Sequence, residues 1–156
     1  MKAFRVFASC SLLLLAVREA AADPAAAVAS YQGASAQLVA KMRIIKRDAG
    51  SCGIIGGQLA GKMDGSVQTQ ASRDAQVAAS LEKAKDGAKG QAVAIIQGVI
   101  EEVNTGNEKL KSNYDTVEYG LSTDSPSCRS AKAAFEAMAS TSESLPKLLA
   151  KIAGTL

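Results

Sequence analysis

The chain has 156 residues, of which 47% are hydrophobic, 4% aromatic and 21% charged, and its formal net charge is +3. Histidine is absent, which removes the usual general base near neutral pH and the commonest metal ligand. The length suits one domain with a modest core and is too short for two ordinary ones.

The start of the chain predicts a secretory signal peptide over residues 1–22. A short basic beginning precedes an apolar run from Val6 to Val17, and small residues follow where signal peptidase cleaves. Arg18 interrupts this run before it reaches the roughly 20 apolar residues that a membrane span needs. We therefore expect cleavage before Asp23, one domain over residues 23–156 without a transmembrane segment, and secretion outside the cell or into a bacterial periplasm.

Removal of the signal peptide also changes the charge. The first 22 residues contain three basic residues and one acidic residue, which leaves 15 Lys and Arg against 14 Asp and Glu in the mature chain. A nucleic-acid-binding domain would need a clustered basic excess to contact phosphates. We therefore expect no nucleic-acid partner.

Two cysteines remain in the predicted mature chain, Cys52 and Cys128, because Cys10 leaves with the signal. An even cysteine count in an exported chain favours a disulfide over a metal site or a reactive thiol. We predict a Cys52–Cys128 bond; the alternatives are two free thiols or a bond between chains.

The first mature helix is predicted over residues 24–49. Asp23 followed by Pro24 is typical of a helix start, and Gly50 is typical of an end. The basic residues Lys46 and Arg47 suit the negative end of the helix dipole. Apolar residues recur at helical spacing along it: Val28, Tyr31, Leu38, Met42 and Ile45.

The second helix is predicted near residues 54–86, but its first part is rich in glycine. Gly53, Gly57, Gly61 and Gly65 recur every four residues, so on a helix they would form a groove without side chains. Glycine disfavours a helix in water by about 1 kcal/mol relative to Ala. The sequence therefore does not decide between helix and loop for this segment. It is either a connector or a short close-packed helix, or a loop that contacts a partner or a membrane.

The last two helices are predicted over residues 88–120 and 126–154. Ser125 followed by Pro126 again predicts a helix start, and Gly154 predicts the end. Pro146 is expected to kink or restart the final helix because it removes one backbone hydrogen bond. The chain is therefore predicted to be all-α.

Four helices with short connections favour an antiparallel up-down four-helix bundle. In that order, Cys52 after the first helix and Cys128 at the start of the fourth would lie at the same end of neighbouring helices. The disulfide and the topology therefore support each other.

Two segments, Ser80–Lys83 and Ser144–Lys147, match the Ser-x-x-Lys pattern of serine β-lactamases and penicillin-binding proteins. The chain lacks the companion Ser-Asp-Asn and Lys-Thr-Gly elements, and it is too short for that fold. We interpret both matches as coincidences.

Two further patterns are equally weak. The segment Gly56–Met63 approaches a P-loop, but Met63 stands where that loop needs a hydroxyl to bind magnesium. Glu101 and Glu102 are adjacent on a helix and so do not face each other. We predict no catalytic residue, no metal site and no cofactor, and hence a protein that is not an enzyme.

The favoured function is a secreted protein whose helical bundle presents a surface to another macromolecule. Candidate contact residues are the basic cluster near the end of the first helix and the glycine groove: Lys41, Arg43, Lys46, Arg47, Gly53, Gly57 and Gly61. The partner would be an extracellular protein or surface.

Two alternatives belong to other classes. One is a carrier of a small hydrophobic ligand held between helices, where small Ala and Gly residues leave space. The other is an inhibitor of an extracellular enzyme. In outline the expected architecture resembles the plant inhibitors of invertase and pectin methylesterase, secreted four-helix bundles, but those carry four cysteines where this mature chain keeps two.

Overall fold

The computed structural model describes residues 23–122 and 124–156, and these are helical with short connections. The helices are α1 Pro24–Asp48, α2 Gly53–Lys85, α3 Lys89–Ser112, α4 Tyr114–Gly120 and α5 Pro126–Thr155, with a 3-10 turn at Ala49–Ser51 after α1. The predicted all-α class is confirmed. The predicted signal peptide lies outside the described residues.

Both predicted helix starts are confirmed by their caps. The Asp23 side chain accepts a hydrogen bond from the backbone N–H of Ala25 at 3.0 Å. The Ser125 hydroxyl accepts one from the backbone N–H of Cys128 at 3.1 Å. In each case a proline occupies the first helical turn, where its missing N–H costs nothing.

The glycine-rich segment is helical. α2 begins at Gly53, which has a φ of +78°, and runs without interruption to Lys85. Met63 is buried in the core and Leu59 packs against it, so tertiary packing outweighs the poor helix propensity of the glycines.

Gly56 is the glycine of this segment that the fold requires. A Cβ atom there would meet the Ala49 carbonyl oxygen and would lie 2.8 Å from the Cys52 Cβ. At Gly57, by contrast, an added Cβ meets nothing within 4 Å. The close approach between α2 and the preceding turn therefore requires glycine at position 56 but not at position 57.

We expect Gly56→Ala to destabilise the fold by about 1 to 3 kcal/mol because backbone must move to admit the methyl group. Gly57→Ala should stabilise it by up to about 1 kcal/mol through helix propensity. Urea unfolding of both variants measures the two effects. A Gly56→Ala variant as stable as Gly57→Ala would contradict the packing described here.

The helix predicted over residues 88–120 is wrong as a single element, because α3 ends at Ser112 and α4 begins at Tyr114. Between them the Asn113 amide donates to the carbonyl oxygen of Lys109 at 2.8 Å. Asparagine side chains compete in this way with the backbone and interrupt helices.

Of the two outcomes predicted at Pro146, a kink or a restart, the restart is wrong, since α5 runs continuously from Pro126 to Thr155. The helix ends one residue after Gly154, the predicted end. Proline leaves the carbonyl four residues earlier without its helical partner, and that carbonyl belongs to Ser142. The Asn107 amide of α3 donates to it at 3.1 Å, and the Ser142 hydroxyl donates back to Asn107 Oδ1. Asn107 of the neighbouring helix thus supplies the hydrogen bond that the Ser142 carbonyl lacks because of Pro146.

Each of the four long helices packs against two others: α1 against α2 and α5, and α3 against the same two helices. The short α4 lies against α2. The largest fully buried side chains are Tyr31, Phe135, Leu38, Ile45, Ile96, Leu121, Leu145, Leu149, Ile152, Gln70, Val99 and Val103. All but two of these are aliphatic or Phe, so the core between the helices is largely hydrophobic.

The predicted disulfide is confirmed. Cys52 and Cys128 are bonded, with their Cα atoms 5.5 Å apart, and both are buried. The bond joins the segment between α1 and α2 to the first turn of α5.

A buried carboxylate reinforces the same junction. Asp48 accepts hydrogen bonds from the Arg47 guanidinium at 2.6 Å and from the Ser130 hydroxyl of α5 at 2.6 Å. These donors, Arg47 first, lower the pKa of Asp48 to about 2. Because the folded-state pKa is depressed, this contribution to stability is present above the ordinary pKa of 3.8 and is lost as pH falls through about 2.

Candidate functional site

A cleft of about 600 Å³ opens between α2 on one side and α3 with α4 on the other. Its floor is made by buried side chains of α1, α2 and α5, and its walls by half-buried ones of α2, α3 and α4. The floor residues are Leu38, Met42, Met63, Phe135 and Met138, and the wall residues are Ile55, Leu59, Leu110 and Val117. The volume falls within the range of about 300–1,000 Å³ typical of small-molecule sites.

The floor of the cleft is rich in methionine. Met42, Met63 and Met138 are all the methionines in the described residues, and all three line it. Their exposed fractions are 8%, 4% and 6%. Methionine has an unbranched, polarizable side chain that adapts to irregular apolar partners. The floor can therefore adjust to an apolar ligand.

The charged residues lining the cleft are all cationic: Lys62, Arg73 and Lys109. Lys62 and Lys109 are exposed, and neither forms an ion pair within residues 23–122 and 124–156. The lining contains no Asp or Glu. The cleft thus combines an apolar floor with a cationic rim.

Arg73 extends from α2 to α3. Its side chain is only 15% exposed, and its Nε lies 3.5 Å from the Glu102 carboxylate while one Nη donates to the Glu102 carbonyl oxygen at 3.3 Å. The Nη also lies 3.8 Å from where a Cβ on Gly106 would be, an ordinary van der Waals distance. Nε is buried without an aligned hydrogen-bond partner.

A second polar feature lies between α1 and α2. The Asp74 carboxylate accepts hydrogen bonds from the Tyr31 hydroxyl at 2.9 Å, the Ser35 hydroxyl at 2.7 Å and the Gln70 amide at 3.0 Å. Burial and the Asp74 charge raise the pKa of Tyr31, which therefore stays protonated and remains a donor. The hydrogen bonds are all directed at one carboxylate, so this cluster fixes how α1 meets α2.

The predicted basic cluster is partly neutralised. Lys46 pairs with Asp64 of α2 at 2.6 Å, and Arg47 pairs with Asp48. Arg43 lines a separate groove between α1 and α2. Lys41 and Arg43 form no ion pair within the described residues, and their role in partner binding stays a prediction.

The predicted glycine groove is open. An added Cβ at Gly53, Gly57, Gly61 or Gly65 would meet nothing within 4 Å. Of these, only Gly65 lines the cleft. A close contact with neighbouring backbone occurs at Gly56, and partner contact through the groove stays a prediction.

The weak catalytic patterns lie in ordinary helix. The Ser80 hydroxyl donates to the Val77 carbonyl, and that of Ser144 donates to Thr141. The P-loop-like segment lies inside α2 and so forms no loop that could cradle a phosphate. In the described ranges, no three His, Cys, Asp or Glu side chains converge in a way that could hold a metal ion.

In the described part of the chain, two large apolar side chains are strongly exposed, Ile54 and Tyr119, each at 83%. They lie at the same end of the molecule because their chain neighbours Ile55 and Gly120 are in contact: a Cβ on Gly120 would lie 2.7 Å from that of Ile55. Cys52 of the disulfide lies two residues before Ile54 in the chain. This end presents an apolar surface distinct from the cleft floor.

Comparison with known protein families, characterised proteins and solved structures finds no match. No helix in the described part of the chain combines the length and the apolar character needed to cross a bilayer.

Sequence reasoning missed the rim of the cleft. Lys62, Arg73 and Lys109 are far apart in the sequence, and surface lysines seldom carry a signal of function. Met42 did carry a signal, of burial and not of function, since it lies on the apolar face predicted for the first helix. What the pattern could not show is that a cleft reaches this face.

Proposed function

We propose that this is a secreted, non-enzymatic binding protein that holds a small hydrophobic ligand in the cleft between α2 and α3–α4. The observation that carries the proposal is the methionine-rich apolar floor of a cavity of about 600 Å³. The interior of a domain is normally close-packed, so a cleft of this size that reaches buried apolar side chains favours a binding role.

The scaffold in this proposal is an antiparallel up-down four-helix bundle, with α4 as an appendage. Contacts between α1 and α2 support this arrangement. Tyr31 of α1 contacts Asp74 of α2. Lys46, which comes later in α1, contacts Asp64, which comes earlier in α2, so the two helices run in opposite directions. Contacts to α5 follow the same rule. Asn107, Tyr114 and Glu118 in chain order meet Ser142, Phe135 and Lys132 in reverse order.

Export is the second part of the proposal. It rests on the signal-like sequence over residues 1–22 and on the disulfide, a bond that persists in oxidising compartments. A carrier working there benefits from a covalent bond that keeps the helices in place around the cleft.

Blocking the cleft should abolish ligand binding. Gly65 lines it with open space beside its Cα, so the side chain of Gly65→Phe would occupy the cavity. Gly61→Phe makes the same substitution one turn earlier, at an exposed position outside the cleft. The probe is the uncharged dye phenylnaphthylamine, whose fluorescence rises in apolar surroundings.

We expect the dye to bind the unaltered protein and Gly61→Phe alike, and to bind Gly65→Phe at least about tenfold more weakly, equivalent to about 1.4 kcal/mol. Circular dichroism would verify that both variants fold. Absence of binding to the unaltered protein, or equal binding to both variants, would count against the cleft as the site.

The exposed apolar end supports a second candidate, binding of a macromolecular partner. Ile54 and Tyr119 are large, exposed apolar residues that share one end of the molecule. If this end binds a partner, crosslinking in the native extracellular fluid should capture one protein reproducibly, and Ile54→Ser with Tyr119→Ser should lose it. Gly65→Phe should keep it, which separates the two functions.

A further inference from the structure

We infer that the ligand of the cleft is an apolar acid, a molecule with a hydrophobic body and one anionic group, whose anion is held by Lys62 and Lys109. This inference rests on the proposed function, because it names the chemistry of what the same cleft takes. Charge complementarity carries it.

The charge distribution of the cleft differs from that of the molecule. The mature chain is almost neutral, with 15 basic against 14 acidic residues, yet the lining contains three cations and no carboxylate. Two acidic residues near the rim are already paired: Glu102 with Arg73, and Asp64, next but one to Lys62, with Lys46. Glu108 precedes Lys109 in the chain but is not among the residues that line the cleft. The lining itself therefore carries a net positive charge.

The two lysines are available to a ligand. Both are exposed, and neither forms an ion pair in the described part of the chain, so an anion needs to displace no carboxylate. Lys62 comes from α2 and Lys109 from α3, the helices on opposite sides of the cleft. An anionic group between them would be drawn from both sides while its apolar body reaches the methionine floor.

Arg73 adds a fixed positive charge. It is largely buried and held by Glu102, which neutralises part of its charge, and its Nε is left without an aligned hydrogen-bond partner. A guanidinium cannot lose its proton in a protein, so Arg73 keeps its positive charge and disfavours a ligand with a cationic head group. The lysines make the direct contact.

Two matched dyes test the inference. Anilinonaphthalene sulfonate and phenylnaphthylamine share one apolar body and differ in the sulfonate group. The variant is Lys62→Gln with Lys109→Gln. The control is Lys83→Gln with Lys151→Gln, which removes the same charge from exposed lysines that neither line the cleft nor form ion pairs within the described residues.

We expect the rim variant to bind the sulfonate dye about tenfold more weakly than the control variant does, and the uncharged dye with unchanged affinity. Raising the salt concentration should weaken binding of the sulfonate dye alone. Equal binding of the sulfonate dye to both variants would overturn the inference. It would also be overturned if the rim variant lost affinity for both dyes to the same degree.

The proposed function and this inference can fail separately. If the uncharged dye binds and Gly65→Phe blocks it, while the rim variant leaves the sulfonate dye unaffected, only the anionic ligand is wrong. If neither dye binds the unaltered protein, both proposals are wrong. All measurements use the protein secreted by cells that express the full chain.

Discussion

Replacing Cys52 and Cys128 together by alanine is expected to lower the free energy of unfolding by about 4 to 5 kcal/mol. The bond closes a loop with a sequence separation of 76 residues, and a crosslink over such a distance strongly restricts the unfolded chain. A domain of this size has a total stability of only about 5 to 15 kcal/mol. The bond is therefore expected to supply a large share of it.

Chemical denaturation with and without a reducing agent measures this contribution. The reducing agent should destabilise the unaltered protein to a similar degree and should leave the double-alanine variant unchanged. A loss below about 1 kcal/mol in the variant would show that the Asp48–Ser130 hydrogen bond and the core hold the junction without the bond.

The second large effect is expected at Asn107, where alanine should cost about 2 to 3 kcal/mol. Asn107 is 8% exposed and forms both hydrogen bonds to Ser142. Removing its amide leaves the Ser142 carbonyl without a partner, because Pro146 has no N–H to offer. An unsatisfied buried polar group costs about 1 to 3 kcal/mol.

A double-mutant cycle with Pro146→Ala tests the cause. Alanine at 146 restores the helical donor to the Ser142 carbonyl, so Asn107→Ala should cost about 1 kcal/mol less in that background than with proline present. Urea unfolding of the four proteins gives the coupling energy. Additive effects would mean that the cost at Asn107 does not come from the carbonyl that proline leaves free.

The parts of the fold that could be predicted are those with local causes. The caps at Asp23 and Ser125 depend on one side chain and one proline, both adjacent in sequence. The disulfide could be predicted because the predicted mature chain offers one pairing. The helical spacing of apolar residues in the first helix identified core positions such as Leu38 and Ile45.

The sequence-based predictions that were wrong have two causes. One is an interaction between residues far apart in the sequence, and the other is a side chain that competes with the helix backbone for a hydrogen bond. Pro146 is tolerated because of Asn107, 39 positions earlier, which no local pattern could indicate. The break at Asn113 depends on one side chain outcompeting the helix for a carbonyl. The glycine-rich segment is helical because Met63 is buried in the core and Leu59 packs against that core, contacts that the local sequence does not show.

The candidate site was the least predictable part. Its floor uses α1, α2 and α5, and its rim cations come from α2 and α3. Sequence patterns identify which face of a helix is apolar, but they do not show where neighbouring helices leave such a face uncovered. The cleft exists only through the packing of all five helices.

The most direct test of the cleft as a ligand site is organic extraction and mass spectrometry of the protein, purified without detergent from cultures that express the full chain. We predict that an apolar acid is extracted in stoichiometric amount from the unaltered protein and from Gly61→Phe, and that it is missing from Gly65→Phe. Extracts free of any apolar molecule, or the same molecule in equal amount from Gly65→Phe, would contradict a ligand bound in the cleft.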